Sequence, residues 1–129
     1  VRTGILPSLL SVLSANTRQK YPQKLFEAGD VILIDGKGPN GCRTQKKLCA
    51  VIASKDAGLS EIKSVLEGAL FELGFQFKLS KKQEPFFIQT RSAAVEGDKV
   101  RGYYGEIHPQ VLENFGIEMP VAAFEVWFD

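Results

Sequence analysis

Apolar residues recur at helical spacing near the start and in the middle of this chain, and at strand spacing through most of the rest. Leu6, Leu9, Leu10 and Leu13 form an i, i+3, i+4, i+7 stripe, with Pro7 in the first turn, where proline is tolerated. The stripe predicts a helix that stops near Asn16. A polar stretch from Thr17 to Gln23 leads into a strand-like run from Leu25 to Ile34. Asp35 to Gly41 is dense in turn formers and predicts a loop, and Leu48 to Ala53 predicts a second strand. Ser60 is the expected N-cap of a second helix, with Glu61 in its first turn. Ile62, Val65, Leu66, Ala69, Leu70 and Leu73 follow at helical spacing, and Gly74 closes the helix as a C′ residue would. Phe75 to Leu79 alternates as a half-buried strand does. Phe86 to Val95 and Val100 to Ile107 flank the hairpin signal Glu96-Gly97-Asp98-Lys99. A short helix, Pro109 to Phe115, is closed by Gly116, and Val121 to Phe128 is the final strand.

Strands joined by hairpins and interrupted by few helices predict an α+β domain with a mostly antiparallel sheet flanked by helices; a parallel winding would alternate more strictly. The expected sheet buries one face under the helices, leaving the other face, or the leucine stripe, to a partner. A length of 129 residues suits one domain spanning 1–129. With 44% hydrophobic and 24% charged residues, the composition is that of an ordinary globular domain and argues against disorder. A net charge of +1 argues against a dominant electrostatic grip on nucleic acid or an anionic membrane, while leaving room for a local patch. No apolar run reaches the roughly 20 residues that span a bilayer. The chain begins at Val1 without an initiator Met or a signal peptide, and the expectation is a domain cut from a longer polypeptide. Cys42 and Cys49 match no zinc spacing and are expected to be reduced, structural thiols of a cytosolic protein.

Few residues offer chemistry. His108 is the only histidine. Catalysis by it would need a partner in reach, whereas a residue just before Pro109 at a helix start can satisfy free backbone N–H groups, which is the expected role. The loop from Gly36 to Gly41 lacks the spacing and the following helix of a phosphate-binding loop. Glu27, Asp30 and Asp35 lie along one strand and its exit, and in a regular strand Glu27 and Asp30 point to opposite faces. Lys78, Lys81 and Lys82, and separately Arg43, Lys46 and Lys47, make the basic clusters. The first set, with Phe75, Phe77, Phe86 and Phe87 nearby, suggests a surface for single-stranded RNA, with a solvated rim as the plainer reading. The stripe Leu6, Leu9, Leu10, Leu13 serves either as core or as an intersubunit contact.

Four segments in order carry a family resemblance. Val1-Arg2-Thr3-Gly4-Ile5-Leu6-Pro7-Ser8-Leu9-Leu10, Leu25-Phe26-Glu27-Ala28-Gly29-Asp30-Val31, Gly102-Tyr103-Tyr104-Gly105-Glu106-Ile107-His108-Pro109 and Val121-Ala122-Ala123-Phe124-Glu125 resemble the C-terminal catalytic-like module of the phenylalanyl-tRNA synthetase beta subunit, of the archaeal and eukaryotic type. The resemblance covers essentially the whole chain. It implies a sheet like that of class II synthetases and biotin ligases, without the catalytic residues. Class II activity needs a motif-2 arginine, and none stands between Lys24 and Val31. Lys24 does not replace it, because only a planar guanidinium fork clamps phosphate bidentately. The segment from Val121 to Asp129 lacks the glycines and arginine of motif 3.

The implied role is a non-catalytic structural module, with no catalytic, cofactor or metal residues of its own. It would pair with the catalytic alpha subunit through the first helix, in a cytoplasmic heterotetramer that attaches phenylalanine to tRNA and uses ATP and Mg²⁺ elsewhere. Leu6, Leu9, Leu10 and Leu13 are the implied contact, and Lys78, Lys81 and Lys82 the candidate tRNA contact. The alternative is a class II-like domain that itself binds ATP or an amino acid, or contributes a tRNA-binding surface.

Overall fold

The computed structural model describes residues 4–34, 36 and 41–128. Among them the chain runs α1 (Leu6–Ala15), β1 (Gln23–Ile34), β2 (Cys42–Ala53), α2 (Leu59–Glu72), β3 (Lys78–Ser80), β4 (Phe87–Glu96), β5 (Val100–Ile107), α3 (Pro109–Asn114) and β6 (Val121–Phe128). The strands form one sheet in the order β1-β2-β6-β5-β4-β3, and every neighbouring pair is antiparallel. The α+β reading therefore holds. The last strand in sequence lies near the middle of the sheet, between β2 and β5.

Both faces of the central strands are covered, contrary to the expectation that one would stay open. Leu6, Leu9, Leu10 and Leu13 of α1 pack on one face with Val51, Phe87, Ile107 and Ala123. Ile62, Leu66 and Leu70 of α2 pack on the other with Ile52, Tyr104, Ala122 and Phe124. A strand with both faces buried loses its alternation, and residues 121–126 of β6 are buried at every position. The edge strand β1 keeps its alternation along most of its length, and Glu27 is half-buried while Asp30 is exposed, as expected for residues on opposite faces.

Helix ends follow the glycines. After α2, Gly74 has φ of +80°, its N–H donates to Phe71 O at 3.0 Å, and Phe75 N–H donates to Leu70 O at 3.0 Å. After α3, Gly116 has φ of +72°, with Gly116 N–H donating to Glu113 O and Ile117 N–H to Leu112 O, both at 2.9 Å. Each is a Schellman closure, which favours glycine because only glycine takes positive φ without steric cost. Asn16 ends α1, its N–H shared between Val12 O and Leu13 O.

Some boundaries differ from expectation. The N-cap of α2 is Gly58, and Ser60 lies inside the helix without a cap bond. Strand β2 begins at Cys42, six residues before Leu48. Its first half pairs with the second half of β1, and the exposed Arg43, Thr44 and Lys46 hide the strand from a hydrophobic pattern. The expected strand Phe75 to Leu79 shrinks to Lys78–Ser80, because Phe75 is used in the α2 closure and stacks on Phe128 with ring centroids 4.9 Å apart. Most of the expected loop, Asp35 and residues 37–40, falls outside the described residues; Gly36 N–H donates to Gly41 O at 3.0 Å across it.

Leu13 is 1% exposed and sits where α1 meets the sheet. Leu13→Ala is expected to lower unfolding stability by about 2–4 kcal/mol, because the removed methyl groups leave a cavity that this packing closes only partly. Urea titration checks it: the midpoint should fall with the slope unchanged.

Candidate functional site

The N-terminal N–H groups of a helix have no partner within it, and neither long helix here brings a side-chain cap of its own. The N-cap of α1 is Ile5 and that of α2 is Gly58. The sheet supplies both partners. Glu125, on the central strand β6 and 1% exposed, accepts from Ile5 N–H at 2.9 Å and Leu6 N–H at 2.8 Å through Oε2. Its Oε1 accepts from Lys47 Nζ at 3.3 Å and from Tyr103 Oη at 3.3 Å. Four donors therefore surround one buried carboxylate, and Lys47 also lies 4.8 Å over the Trp127 ring. The helix N-terminus and the ammonium place partial and full positive charge against this carboxylate. Glu106 of β5 repeats the device at α2: its Oε2 accepts from Leu59 N–H at 3.1 Å and lies 3.7 Å from Arg91 Nη1.

The motif around Glu106 reads clearly in this light. A Cβ on Gly105 would come within 2.6 Å of the Arg91 carbonyl oxygen, because β4 is irregular between Phe87 and Ser92 and crowds β5 there. That irregularity carries Thr90 at φ of +68°, and Arg91 follows it toward Glu106. His108 caps α3: its Nδ1 accepts from Gln110 N–H at 3.0 Å, with Pro109 in the first turn. The expected structural role of His108 is the one the geometry presents.

Open concavities lie at the rims of the sheet. One, of about 730 Å³, is lined by Tyr21, Lys24, Asp56, Glu61, Arg91 and Glu106 beside the start of α2. Two ion pairs lie in it, Lys24 with Glu61 at 3.7 Å and Arg91 with Glu106, and Lys55 and Asp56 line it too. Another, of about 490 Å³, is lined by Lys82, Glu96, Arg101, Tyr103 and Trp127. Tyr103 stands edge-on to Trp127, with centroids 5.7 Å apart, and to Phe86 and Phe87 on its other side.

The sequence candidates are distributed as follows. Leu6, Leu9, Leu10 and Leu13 lie in this chain's own core, between 1% and 5% exposed. Lys78, Lys81 and Lys82 are exposed, and Lys82 reaches the Trp127 cleft. Of the second basic cluster, Arg43 and Lys46 are exposed, whereas Lys47 is buried at 9% and bound to Glu125, so the three do not form one surface cluster. No disulfide joins Cys42 and Cys49. Burial, then the charges of Glu125 and Glu27, push the Cys49 thiol far above its ordinary value. Burial, with the charge and hydrogen bond of Glu125, does the same to the Tyr103 phenol. Among the described residues no group of three or more His, Cys, Asp or Glu is arranged to hold a metal ion, and no helix is long and apolar enough to cross a membrane. Glu106 and Glu125 lie within the family motifs, and their capping roles emerge only in the fold. The signal for Glu125 is a lone carboxylate inside the otherwise apolar run Val121 to Trp127.

This sheet, with a helix on each face, is the fold of a tRNA synthetase. The structure of Desulfitobacterium hafniense PylSc, a pyrrolysyl tRNA synthetase, matches it with a TM-score of 0.69 at 19% identity, over 98% of this chain and 47% of that one. The chain belongs to the family described as the phenylalanyl tRNA synthetase beta chain CLM domain, which matches residues 1–128. It is 45% identical over 129 residues to the phenylalanine–tRNA ligase beta subunit of Thermococcus kodakarensis, and 42% identical over 127 residues to that of Methanocaldococcus jannaschii. Each alignment takes in 98% of this chain but only 22% and 23% of the relatives, so the chain spans less than a quarter of their length.

Glu125→Gln should cost about 1–3 kcal/mol, because the charge-assisted bonds to Ile5 N–H, Leu6 N–H and Lys47 Nζ become weaker neutral ones. Combining it with Lys47→Met should restore part of that loss, and chemical denaturation of the single and double variants reads the coupling.

A pH effect follows from Cys49 and Tyr103. Both keep their protons in the fold to higher pH than in the unfolded chain. Above about pH 9 the unfolded chain thus binds fewer protons than the native one, and stability must fall as pH rises. Urea midpoints should decline from about pH 9 to pH 11, and Tyr103→Phe should flatten that decline.

Proposed function

We propose that this chain is a structural, non-catalytic module of a phenylalanine–tRNA ligase beta subunit, and that it docks the catalytic alpha subunit on the outward face of α1. The observation that carries this reading is the composition of that helix. Its inner stripe fills the chain's own core, while Pro7, Ser11, Val12 and Ala15 are exposed on the outside, and α1 contains no charged residue. A helix without a polar, charged face is one that expects cover on every side. Small side chains also let a second helix approach closely. The expected contact therefore moves from the four leucines to the opposite face of the same helix.

Covered central strands favour support over chemistry. A nucleotide would need polar groups aimed from the sheet into open space, and here Glu125 is enclosed by its own chain. The larger cleft sets Lys24, Lys55 and Arg91 against Asp56, Glu61 and Glu106, so it presents no net positive field to a triphosphate. ATP, Mg²⁺ and phenylalanine are assigned to the alpha subunit, and tRNA to the assembled cytoplasmic heterotetramer. Measurable calorimetric binding of ATP or phenylalanine to this chain alone would contradict the support role.

Substituting Val12→Glu together with Ala15→Lys tests the docking face. Both positions are exposed, so thermal stability should change little. Co-purification with the alpha subunit should fall roughly tenfold or more, since charges at the centre of an interface oppose association. Leu9→Asp, by contrast, should prevent folding, because its carboxylate would be buried without a partner. Undiminished assembly by the Val12/Ala15 variant would remove α1 as the docking face.

A further inference from the structure

The basic and aromatic side chains on the β3–β5 side of the sheet share one row. Register places Lys78 opposite Glu96, Glu96 opposite Arg101, Arg101 opposite Trp127, and Trp127 opposite Lys47. Directly opposed residues on antiparallel strands point to the same side. Lys78, Arg101 and Trp127 therefore share one face, with Glu96 between the first two, and Lys82 lines the cleft that Arg101, Trp127 and Tyr103 border. The Lys82 ammonium lies 3.6 Å from Glu84, with the lysine side chain 61% exposed. A pair that open to solvent is weak and yields to a competing anion.

Charge is distributed unevenly along the chain. Residues 78–101 hold six basic side chains against three acidic ones, a net +3. The whole chain is +1, so the other residues together sum to −2. The surplus positive charge thus belongs to the segment that builds this rim. Trp127 is the only tryptophan, and its ring forms part of the cleft wall with Lys47 held over one of its faces.

We propose that this cleft binds single-stranded RNA, with a base against Trp127 and backbone phosphates on Lys78, Lys82 and Arg101. An aromatic platform flanked by mobile cations is the arrangement that grips unpaired nucleotides, since every base has a stacking face and every linkage a charge. Glu96, between Lys78 and Arg101, keeps the row from being a general polyanion magnet and makes the ring part of the recognition. The site uses neither α1 nor a partner subunit, and so stands or falls separately from the docking role.

The lone tryptophan makes the test direct. A fluorescein-labelled oligouridylate of about twelve nucleotides is titrated into the chain at low salt, and anisotropy is recorded alongside Trp127 emission. The expected result is quenching of Trp127 in step with the anisotropy rise, and a slope of log affinity against log salt of about −2, as for roughly three phosphate contacts. Lys82→Glu with Arg101→Glu should weaken binding roughly tenfold or more, both positions being exposed. Heparin, which has charge but no bases, should bind more weakly and leave Trp127 emission unchanged. Absence of binding at low salt overturns the proposal, and the unsubstituted chain alone suffices to show it. Binding without quenching, equal quenching by heparin, or unchanged affinity in the charge-reversed chain overturns it equally.

Discussion

One buried carboxylate ties the first helix to the centre of the sheet. Glu125 stands on a central strand, where a strand covered on both faces would otherwise be wholly apolar, and accepts from the N-terminus of α1, from Lys47 on the neighbouring strand and from Tyr103 on the other. Removing any one partner leaves the rest incomplete, because a desolvated charge or N–H group cannot turn to water. The position of α1 follows from this bond as much as from its leucines. Hydrophobic burial brings the helix to the sheet without fixing its sliding register, and the directional bond to Ile5 and Leu6 fixes where its first turn must lie. Glu106 sets the start of α2 in the same manner on the opposite face.

The proposed support role rests on this arrangement. Polar groups projecting from the middle of such a sheet are the raw material of a ligand site. Here the prominent one is enclosed by backbone and lysine from its own chain, and the helices cover the strands on both sides. What remains accessible lies on the periphery: the uncharged outer side of α1, and the rim where Trp127 meets Arg101 and Lys82. A domain whose interior is closed and whose rims differ in character is suited to holding other molecules in place.

Elements with strong periodicity were legible in the sequence, and so were their ends. The leucines of α1, the Ile62–Leu66–Leu70 face of α2, Gly74, Gly116 and the His108-Pro109 start of α3 all read correctly, because each depends on local spacing or backbone geometry. What failed depended on partners far away in sequence. Ser60 was the natural local cap for α2, but a carboxylate 47 residues from Leu59 made it unnecessary. The start of β2 was hidden by its exposed polar residues, since only the sheet register reveals that Cys42 pairs with Ile34. Lys47 looked like one surface cation among several until its partner, 78 residues away, was in view. The family motifs marked where Glu106 and Glu125 sit, yet carried no hint that both are helix caps.

Native-state hydrogen exchange at Ile5 and Leu6 tests the central claim most directly. First-turn amides of an uncapped helix exchange readily through local fraying. If Glu125 binds these N–H groups as described, both amides should exchange about as slowly as those of β6, opening only when the sheet itself unfolds. Fast exchange at Ile5 and Leu6 in a chain whose β6 amides remain protected would show that the carboxylate does not hold the helix.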